Sequence, residues 1–144
     1  MTVVVDASVA AKWLLPEQDG DKAAAVLSAW NDGVVSLLAP DLLGVEIANT
    51  LWKTAARGLL ERADAARLFT RFERLSLPLV PTVSLIGEAL SMSLSYQHPV
   101  YDCVYAVLAA REQSGLLTAD EKMFRALRPA LAAVWLLRDW GRRA

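Results

Sequence analysis

Four acidic residues stand where strands predicted from the sequence end or where helices begin. Asp6 ends the apolar run "VVV", and Asp120 follows "LLT" by two residues. Asp102 lies in the first turn of a helix predicted after "HPVY", and Glu46 lies just over one turn into the helix of "DLLGVEIANTLW". In an open parallel sheet, ligands bind outside the carboxyl ends of the strands. We therefore expect these four carboxylates to meet at one edge of a sheet.

The surroundings of Glu46 favour a functional interpretation of that residue. Its neighbours are nearly all apolar, so its helix is expected to be buried on most faces, and no Lys or Arg stands three or four positions away. A lone ionised carboxylate in such surroundings costs roughly several kcal/mol unless it is paired or bound to a metal. Glu46 is therefore expected to have a partner.

The other three acids each have a structural interpretation as well. Asp6 with Ser8 can cap the first helix. Thr118 and Glu121 match the capping box T-x-x-E, and Asp120 is favourable in the same first turn. Asp102, in the first turn of its predicted helix, can interact favourably with the helix dipole. For each of these acids taken singly, the structural interpretation has the advantage.

Four crowded carboxylates repel one another and take up protons unless a cation joins them. Mg²⁺ or Mn²⁺ suits such a site because both favour oxygen ligands. A metal there can activate water and stabilise a leaving oxygen, so hydrolysis of a phosphate ester is the natural reaction class. The sequence contains neither a serine nucleophile elbow nor a glycine-rich phosphate loop. The only histidine, His98, precedes a proline and is expected to be a surface or turn residue rather than a base.

The elements that must position these acids alternate between strands and helices. Strands are predicted at 2–6, 34–40, 116–118 and 132–137, with a short extended segment at 77–81. Helices are predicted at 8–15, 19–30, 41–57, 61–75, from Thr82 or Ser84 to 96, at 100–114 and at 119–127, with Gly58 and Gly115 as helix ends. This order is typical of an α/β protein with a parallel sheet and helices on both faces.

Composition limits the class of protein. A length of 144 residues predicts one domain, 1–144. The apolar fraction of 55% indicates an Ala-rich helical chain or an apolar face buried against a partner. We expect a cytoplasmic protein, because no apolar run approaches the ~20 residues of a membrane helix and the start lacks a signal-peptide pattern. Cys103 stands alone and is expected to be a small buried hydrophobe. The net charge of -1 does not suit a general phosphate binder.

Four pieces of the sequence together carry a family resemblance. They are "VVVDASVAAKW", "APDLLGVEIANTLWK", "HPVYDCVYAVLA" and "LLTADEKMF", in that order, and they span nearly the whole chain. The pattern resembles the PIN-domain ribonucleases, and in particular the VapC-like toxins of toxin–antitoxin pairs. The resemblance implies a three-layer α/β fold with a central, mostly parallel sheet of about five short strands flanked by helices.

The resemblance also implies roles for particular residues. Asp6, Glu46, Asp102 and Asp120 match the catalytic quartet, in which Asp6, Asp102 and Asp120 would hold Mg²⁺ or Mn²⁺ and Glu46 would orient or deprotonate the attacking water. Ser8 and Thr118 match supporting hydroxyls, and Asn49 matches a polar neighbour. The implied products carry a 5′-phosphate and a 3′-hydroxyl. The implied partners are structured RNA with single-stranded loops, a VapB-like antitoxin and a second copy of the chain.

Several basic residues are candidates for binding the RNA phosphates. Lys12, one turn after Ser8, is the better candidate for a phosphate contact, and its structural interpretation is a surface lysine or a partner of Asp6. A second candidate is the helix face that carries Arg67, Arg71 and Arg74, with Lys53 and Arg57 at the end of the helix that carries Glu46. That face could equally be solvated and paired with Glu61, Asp64 and Glu73. Arg142 and Arg143 are expected in a frayed tail.

Two alternatives belong to other classes. A phosphatase or phosphoacceptor domain also needs an acid after its first strand, but the haloacid-dehalogenase pattern requires a second Asp where this chain has Ser8. A non-catalytic PIN-like interaction module would use an apolar surface, which the tryptophans could line, although tryptophan is more often in the core: Trp13, Trp30, Trp52, Trp135 and Trp140.

Overall fold

The computed structural model describes residues 1–142, which build a five-stranded, fully parallel sheet. The strands are β1 (Thr2–Val5), β2 (Ser36–Pro40), β3 (Leu79–Val80), β4 (Gly115–Thr118) and β5 (Val134–Leu136). Their order across the sheet is β3-β2-β1-β4-β5. The predicted frayed tail at Arg143 lies outside the described residues, and the Arg142 guanidinium lies 3.4 Å from Asp139 Oδ1.

Within the described residues, seven helices and four short 3-10 turns flank this sheet. The helices are α1 (Ala7–Ala10), α2 (Gly20–Asn31), α3 (Leu42–Ala56), α4 (Arg62–Arg74), α5 (Ile86–Tyr96), α6 (Val100–Arg111) and α7 (Glu121–Leu127). The 3-10 turns are Ala11–Trp13, Thr82–Ser84, Arg128–Ala130 and Leu137–Asp139. This arrangement confirms the predicted α/β fold class. Within residues 1–142, no helix combines the length and apolar character that crossing a membrane requires.

The central position of β1 places Asp6 in the middle of the carboxyl edge. β1 pairs with β2 on one side, with Val3 opposite Leu37, and with β4 on the other, with Val3 opposite Gly115. β-branched residues suit a strand that is covered on both faces, and Val3, Val4 and Val5 are completely buried. Residues 103–109 of α6 are likewise buried, which explains why that helix is apolar all round.

The first helix is shorter than predicted. It ends at Ala10, and the chain continues as the 3-10 turn Ala11–Trp13 instead of an α-helix to Leu15. The indole Nε1–H of Trp13 donates to the carbonyl of Ala23 in α2, at 2.9 Å. This bond connects the 3-10 turn to α2. The Trp13 side chain is buried there.

Two predictions about helix ends are wrong. Gly115 does not end α6; it is the first residue of β4, where a Cβ would overlap the Trp135 ring of the adjacent strand. The helix has already ended at Arg111, with a left-handed turn at Gln113 (φ 50°). Neither Thr82 nor Ser84, the two predicted caps, caps α5, since both lie in the 3-10 turn before it. The Thr82 hydroxyl accepts from the Leu42 N–H at the start of α3, at 2.9 Å, and the Ser84 hydroxyl donates to the Pro81 carbonyl.

The predicted capping box at α7 is also absent. Asp120 itself is the N-cap, and its Oδ1 accepts from the N–H groups of Lys122 (2.8 Å) and Met123 (3.2 Å). The Thr118 hydroxyl instead accepts from the Asp120 N–H at 3.0 Å. Glu121 pairs with Arg138. The cap is thus made by one of the four candidate acids.

The tryptophans do not form one surface. Only Trp52 is exposed, with 63% of its surface open to solvent, while Trp13 is buried and the remaining three are partly buried against the core. The exposure of Trp52 and Val45 shows that α3 is not buried on most faces, contrary to prediction. Cys103 is a buried free thiol, as predicted.

Candidate active site

Asp6 is the most enclosed of the four candidate acids. Only 5% of its surface is exposed. Its Oδ1 accepts from the Ser8 hydroxyl (2.6 Å) and from the Val9 N–H (3.3 Å), and its Oδ2 accepts from the Thr118 hydroxyl (2.7 Å). Asp6 therefore caps α1, as its predicted structural role requires, and it also connects the ends of β1 and β4 through Thr118.

Burial controls the protonation of Asp6. It raises the pKa of the carboxyl from 3.8 to about 7, while the hydroxyl donors Ser8 and Thr118 lower the pKa and the Asp102 charge raises it. Desolvation disfavours the charged form, and hydrogen-bond donors recover only part of that loss. The Asp6 carboxylate consequently favours a positive charge beside it.

The two hydroxyls that hold Asp6 are themselves fixed by the chain after β4. Ser8 Oγ accepts from the Ala119 N–H at 2.8 Å while it donates to Asp6. The Thr118 hydroxyl accepts from the Asp120 N–H. Residues from the ends of β1 and β4 thus form one continuous network at the carboxyl edge of the sheet.

Glu46 has a partner that the sequence did not reveal. The phenol of Tyr105, a largely buried residue of α6, donates to Glu46 Oε1 at 2.9 Å. Partial burial raises the pKa of the Glu46 carboxyl, the Tyr105 hydrogen bond lowers it, and the Asp102 charge raises it. Glu46 is therefore a half-buried carboxylate with one fixed oxygen and a raised pKa.

Asp102 is held by His98, which is the main residue that sequence reasoning missed. His98 was predicted to be a surface or turn residue: it lies in the turn between α5 and α6, but it is only 6% exposed, so the surface position is wrong. Its Nε2 lies 2.6 Å from Asp102 Oδ2. The Ser93 hydroxyl donates to the His98 carbonyl at 2.5 Å and fixes the turn. The separation of four residues between His98 and Asp102 was the available signal.

Asp102 connects the four carboxylates electrostatically. Its charge raises the pKa of both Asp6 and Glu46, and the charge of the exposed Asp120 raises the pKa of Asp102, although burial is the largest cause for Asp102. Such mutual effects require the carboxylates to lie near one another. The structure thus brings the four predicted acids to one edge of the sheet.

The acids do not close around a common point. No three His, Cys, Asp or Glu side chains within residues 1–142 are grouped closely enough to hold a metal ion together. Each acid instead contacts protein donors: the Ser8 and Thr118 hydroxyls, Tyr105, His98 and the first N–H groups of α7. The four acids still suit Mg²⁺ or Mn²⁺ as ligands, because all four offer carboxylate oxygens. Three of them, Asp6, Glu46 and Asp102, also have raised pKa values.

The remaining predicted residues lie on α3, on α4 and in the 3-10 turn after α1. Asn49 is exposed on α3, one turn after Glu46. Lys12 is neither a surface lysine nor a partner of Asp6: its side chain is 11% exposed and its Nζ lies 3.7 Å from Glu17 Oε1. On α4, Arg67 pairs with Asp64, while Arg71 and Arg74 are exposed.

Comparisons with known proteins agree with this architecture. The PIN-domain family model matches residues 3–128. The chain is 31% identical over 125 residues to ribonuclease VapC3 of Pyrobaculum aerophilum, covering 85% of this chain and 92% of that protein.

Two crystal structures are similar in fold. PAE2754 from Pyrobaculum aerophilum gives a TM-score of 0.66 at 22% identity, covering 96% of this chain and 93% of the other. FitAcB from Neisseria gonorrhoeae gives 0.60 at 19% identity, covering 94% and 98%. Because the family model spans most of the chain and VapC3 matches along nearly its whole length, the chain belongs to the PIN-domain family, among its VapC-like ribonucleases.

Proposed function

We propose that this protein is an endoribonuclease that hydrolyses RNA phosphodiester bonds with the help of Mg²⁺ or Mn²⁺, and that it is the toxin of a toxin–antitoxin pair. One observation carries the proposal: Asp6, Glu46, Asp102 and Asp120 gather at the carboxyl edge of a parallel sheet, where the Thr118 hydroxyl links Asp6 to the Asp120 N–H and the Asp102 charge raises the pKa of both Asp6 and Glu46. The similarity to a ribonuclease over 85% of the chain supports the reaction class.

Asp6, Asp102 and Asp120 would hold the metal ion directly or through water, which does not require all three carboxylates to close around one point. Bound there, Mg²⁺ or Mn²⁺ would offset the carboxylate charges, polarise a phosphoryl oxygen and lower the pKa of water. The network of Ser8 and Thr118 orients Asp6 before any ligand arrives, because both hydroxyls donate to its carboxylate. Such orientation removes the reorganisation that would otherwise accompany binding.

Glu46 is the proposed general base. Tyr105 fixes its Oε1, and Oε2 is the oxygen proposed to take a proton from the attacking water. Its raised pKa makes it a stronger base than an exposed glutamate. The water oxygen then bonds to phosphorus while the P–O3′ bond breaks. The departing 3′ oxygen takes up a proton from solvent and Glu46 returns its proton to solvent, so the products carry a 5′-phosphate and a 3′-hydroxyl.

The proposed partners are RNA, a VapB-like antitoxin and a second copy of the chain, with action in the cytoplasm. Exposed apolar side chains support binding to other proteins, because large apolar patches on a surface mark interaction sites. They occur on α3, at Val45 and Trp52, and along α5 and the turn before it, at Val83, Ile86, Leu90 and Leu94.

The test is RNA cleavage by matched variants. We expect Asp6→Asn and Glu46→Gln to lower the cleavage rate by about 10²–10⁴-fold, and a chelator to abolish cleavage by the unmodified protein. Glu112→Gln is the control, since this exposed acid lies at the opposite end of α6 from Asp102. Full activity in Asp6→Asn, or full activity in the presence of chelator, would contradict the proposal.

A further inference from the structure

A cavity of about 160 Å³ lies beside the acid site. Every residue that lines it lies at or after the carboxyl end of a strand. They are Lys12, Gln18 and Asp19 after β1, Ala119 and Glu121 after β4, Leu136 at the end of β5 and Arg138 after it. This is the edge at which parallel sheets bind ligands. The cavity therefore opens on the same rim as the four acids.

The cavity and the acid site share a wall. Ala119, which lines the cavity, donates its N–H to the Ser8 hydroxyl that holds Asp6, and it directly precedes Asp120. Lys12, on another wall, follows Ser8 by four residues. Because the two places adjoin at Ala119, an RNA chain bound at the acids can extend into this cavity.

The lining carries both hydrogen-bond donors and acceptors, and its charges balance. Two cations, Lys12 and Arg138, face two acids, Asp19 and Glu121, so the formal charge of the lining is zero. Arg138 is already paired with Glu121, and the Lys12 ammonium is 3.7 Å from Glu17. A second phosphate would gain little from such walls, because each cation is already offset by an acid.

Neutral groups with polar edges suit this lining better. A nucleobase carries amino or imino donors for a carboxylate and carbonyl or ring-nitrogen acceptors for a lysine, arginine or amide. Proteins that read single-stranded RNA bind unstacked bases in this way. Leu136 and Ala119 supply the apolar surface against which a flat ring can pack.

We propose that this cavity is a base-recognition subsite, which receives an unstacked nucleobase of the RNA next to the scissile phosphate. The inference rests on the proposed ribonuclease function. Glu121 and Arg138 are its reading residues, because both are about half exposed and present their polar groups as one pair. Lys12 and Gln18 complete the polar lining.

The test maps the 5′ ends of products from an RNA library with a randomised single-stranded loop. We expect the unmodified protein to favour particular bases at one position beside the cut. Glu121→Gln and Arg138→Gln should each reduce that preference about tenfold, as loss of a specific base contact does. Arg62→Gln, an exposed arginine at the start of α4, is the control and should keep the preference.

A binding assay separates this inference from the proposed function. Short oligoribonucleotides that differ at one base are titrated by fluorescence anisotropy with a chelator present, so that the result does not depend on cleavage. Equal affinity for all four bases, or a base preference unchanged in Glu121→Gln and Arg138→Gln, would overturn the subsite. A uniform loss of affinity with a weaker salt dependence would also overturn it, because that pattern indicates a phosphate contact.

Discussion

The two halves of the acid site hold their carboxylates differently. In the strand half, formed by Asp6, Ser8, Thr118 and Asp120, hydroxyl and N–H groups surround the carboxylates, and Asp6 is almost fully buried. In the helix half, formed by Glu46, Tyr105, His98 and Asp102, each carboxylate has one side-chain donor and is half-buried.

This difference separates a fixed part from an adjustable part. Three donors hold the Asp6 carboxylate in one orientation, while Glu46 and Asp102 each have one oxygen fixed by Tyr105 and His98, respectively. A carboxylate with a single side-chain partner can turn toward a ligand more readily than one with three. The strand half is therefore expected to determine the stability of the fold, and the helix half to determine how a ligand is bound.

The largest expected effect is a fall in the stability of the metal-free protein as pH rises. Below about pH 4, Asp6 is protonated in both the folded and unfolded states. Between pH 4 and about 7 only the folded state keeps the proton, so the free energy of unfolding falls by up to about 4 kcal/mol, and it levels off above that range. Asp6→Asn should remove most of this dependence and raise the melting temperature at pH 8. Urea unfolding from pH 4 to 8 measures it; the same slope in both proteins would contradict the assignment.

Removal of one donor in the strand half should have the next largest effect. Thr118→Val keeps the shape of the side chain but removes the 2.7 Å hydrogen bond to Asp6, which costs about 1–3 kcal/mol when Asp6 is charged. The cost should shrink at pH 5, where Asp6 is protonated. Thr70→Val on exposed α4 is the control, and urea unfolding at pH 5 and pH 8 is the measurement. An equal cost at both pH values would show that the Asp6 charge is not involved.

In the helix half, His98 is expected to orient Asp102 for metal binding. His98→Leu removes the donor at 2.6 Å and should weaken Mn²⁺ binding about tenfold, as loss of such an outer partner does. His98→Gln retains a donor at the end of the side chain and should stay near the unmodified affinity. Calorimetric titration with Mn²⁺ measures this without RNA. Equal Mn²⁺ affinity in His98→Leu and the unmodified protein would remove His98 from this role.

The smallest expected effect is that of Tyr105→Phe. Loss of the hydrogen bond to Glu46 should cost about 1 kcal/mol of stability. Because that bond lowers the pKa of Glu46, its loss should move the acidic limb of the pH–rate profile upward. The profile of RNA cleavage against pH is the measurement. An unchanged acidic limb would argue that Glu46 is not the base.

The sequence predicted the placement of the acids better than their contacts. Asp6 and Asp120 could be located because an acid after an apolar run marks both a strand end and a helix cap, and both residues do cap helices. Glu46 was singled out because its helix was predicted to be buried, yet α3 has an exposed face with Val45 and Trp52. Glu46 is nonetheless partly buried, since it lies at the side of α3 that meets Tyr105.

Burial of the turn and loop residues could not be predicted. His98 precedes a proline in a predicted turn, and Lys12 lies in a short predicted helix; loop residues and lysines are usually exposed. In the structure, His98 is enclosed where α5 meets α6, and Lys12 lines the cavity after β1. Neither burial follows from local pattern, because it depends on which segment packs over the residue.

The sequence by itself determined the alternation of strands and helices and the position of each acid at the end or start of an element, because both follow from hydrophobic period and local capping. Only the tertiary structure decided which side chains meet there. The Thr118–Asp6 and Tyr105–Glu46 hydrogen bonds join residues 112 and 59 positions apart. The first pair forms because β4 lies beside β1, and the second because α6 packs across β1, β2 and β4 and meets α3. Strand order and helix packing are properties of the packed sheet rather than of any short segment.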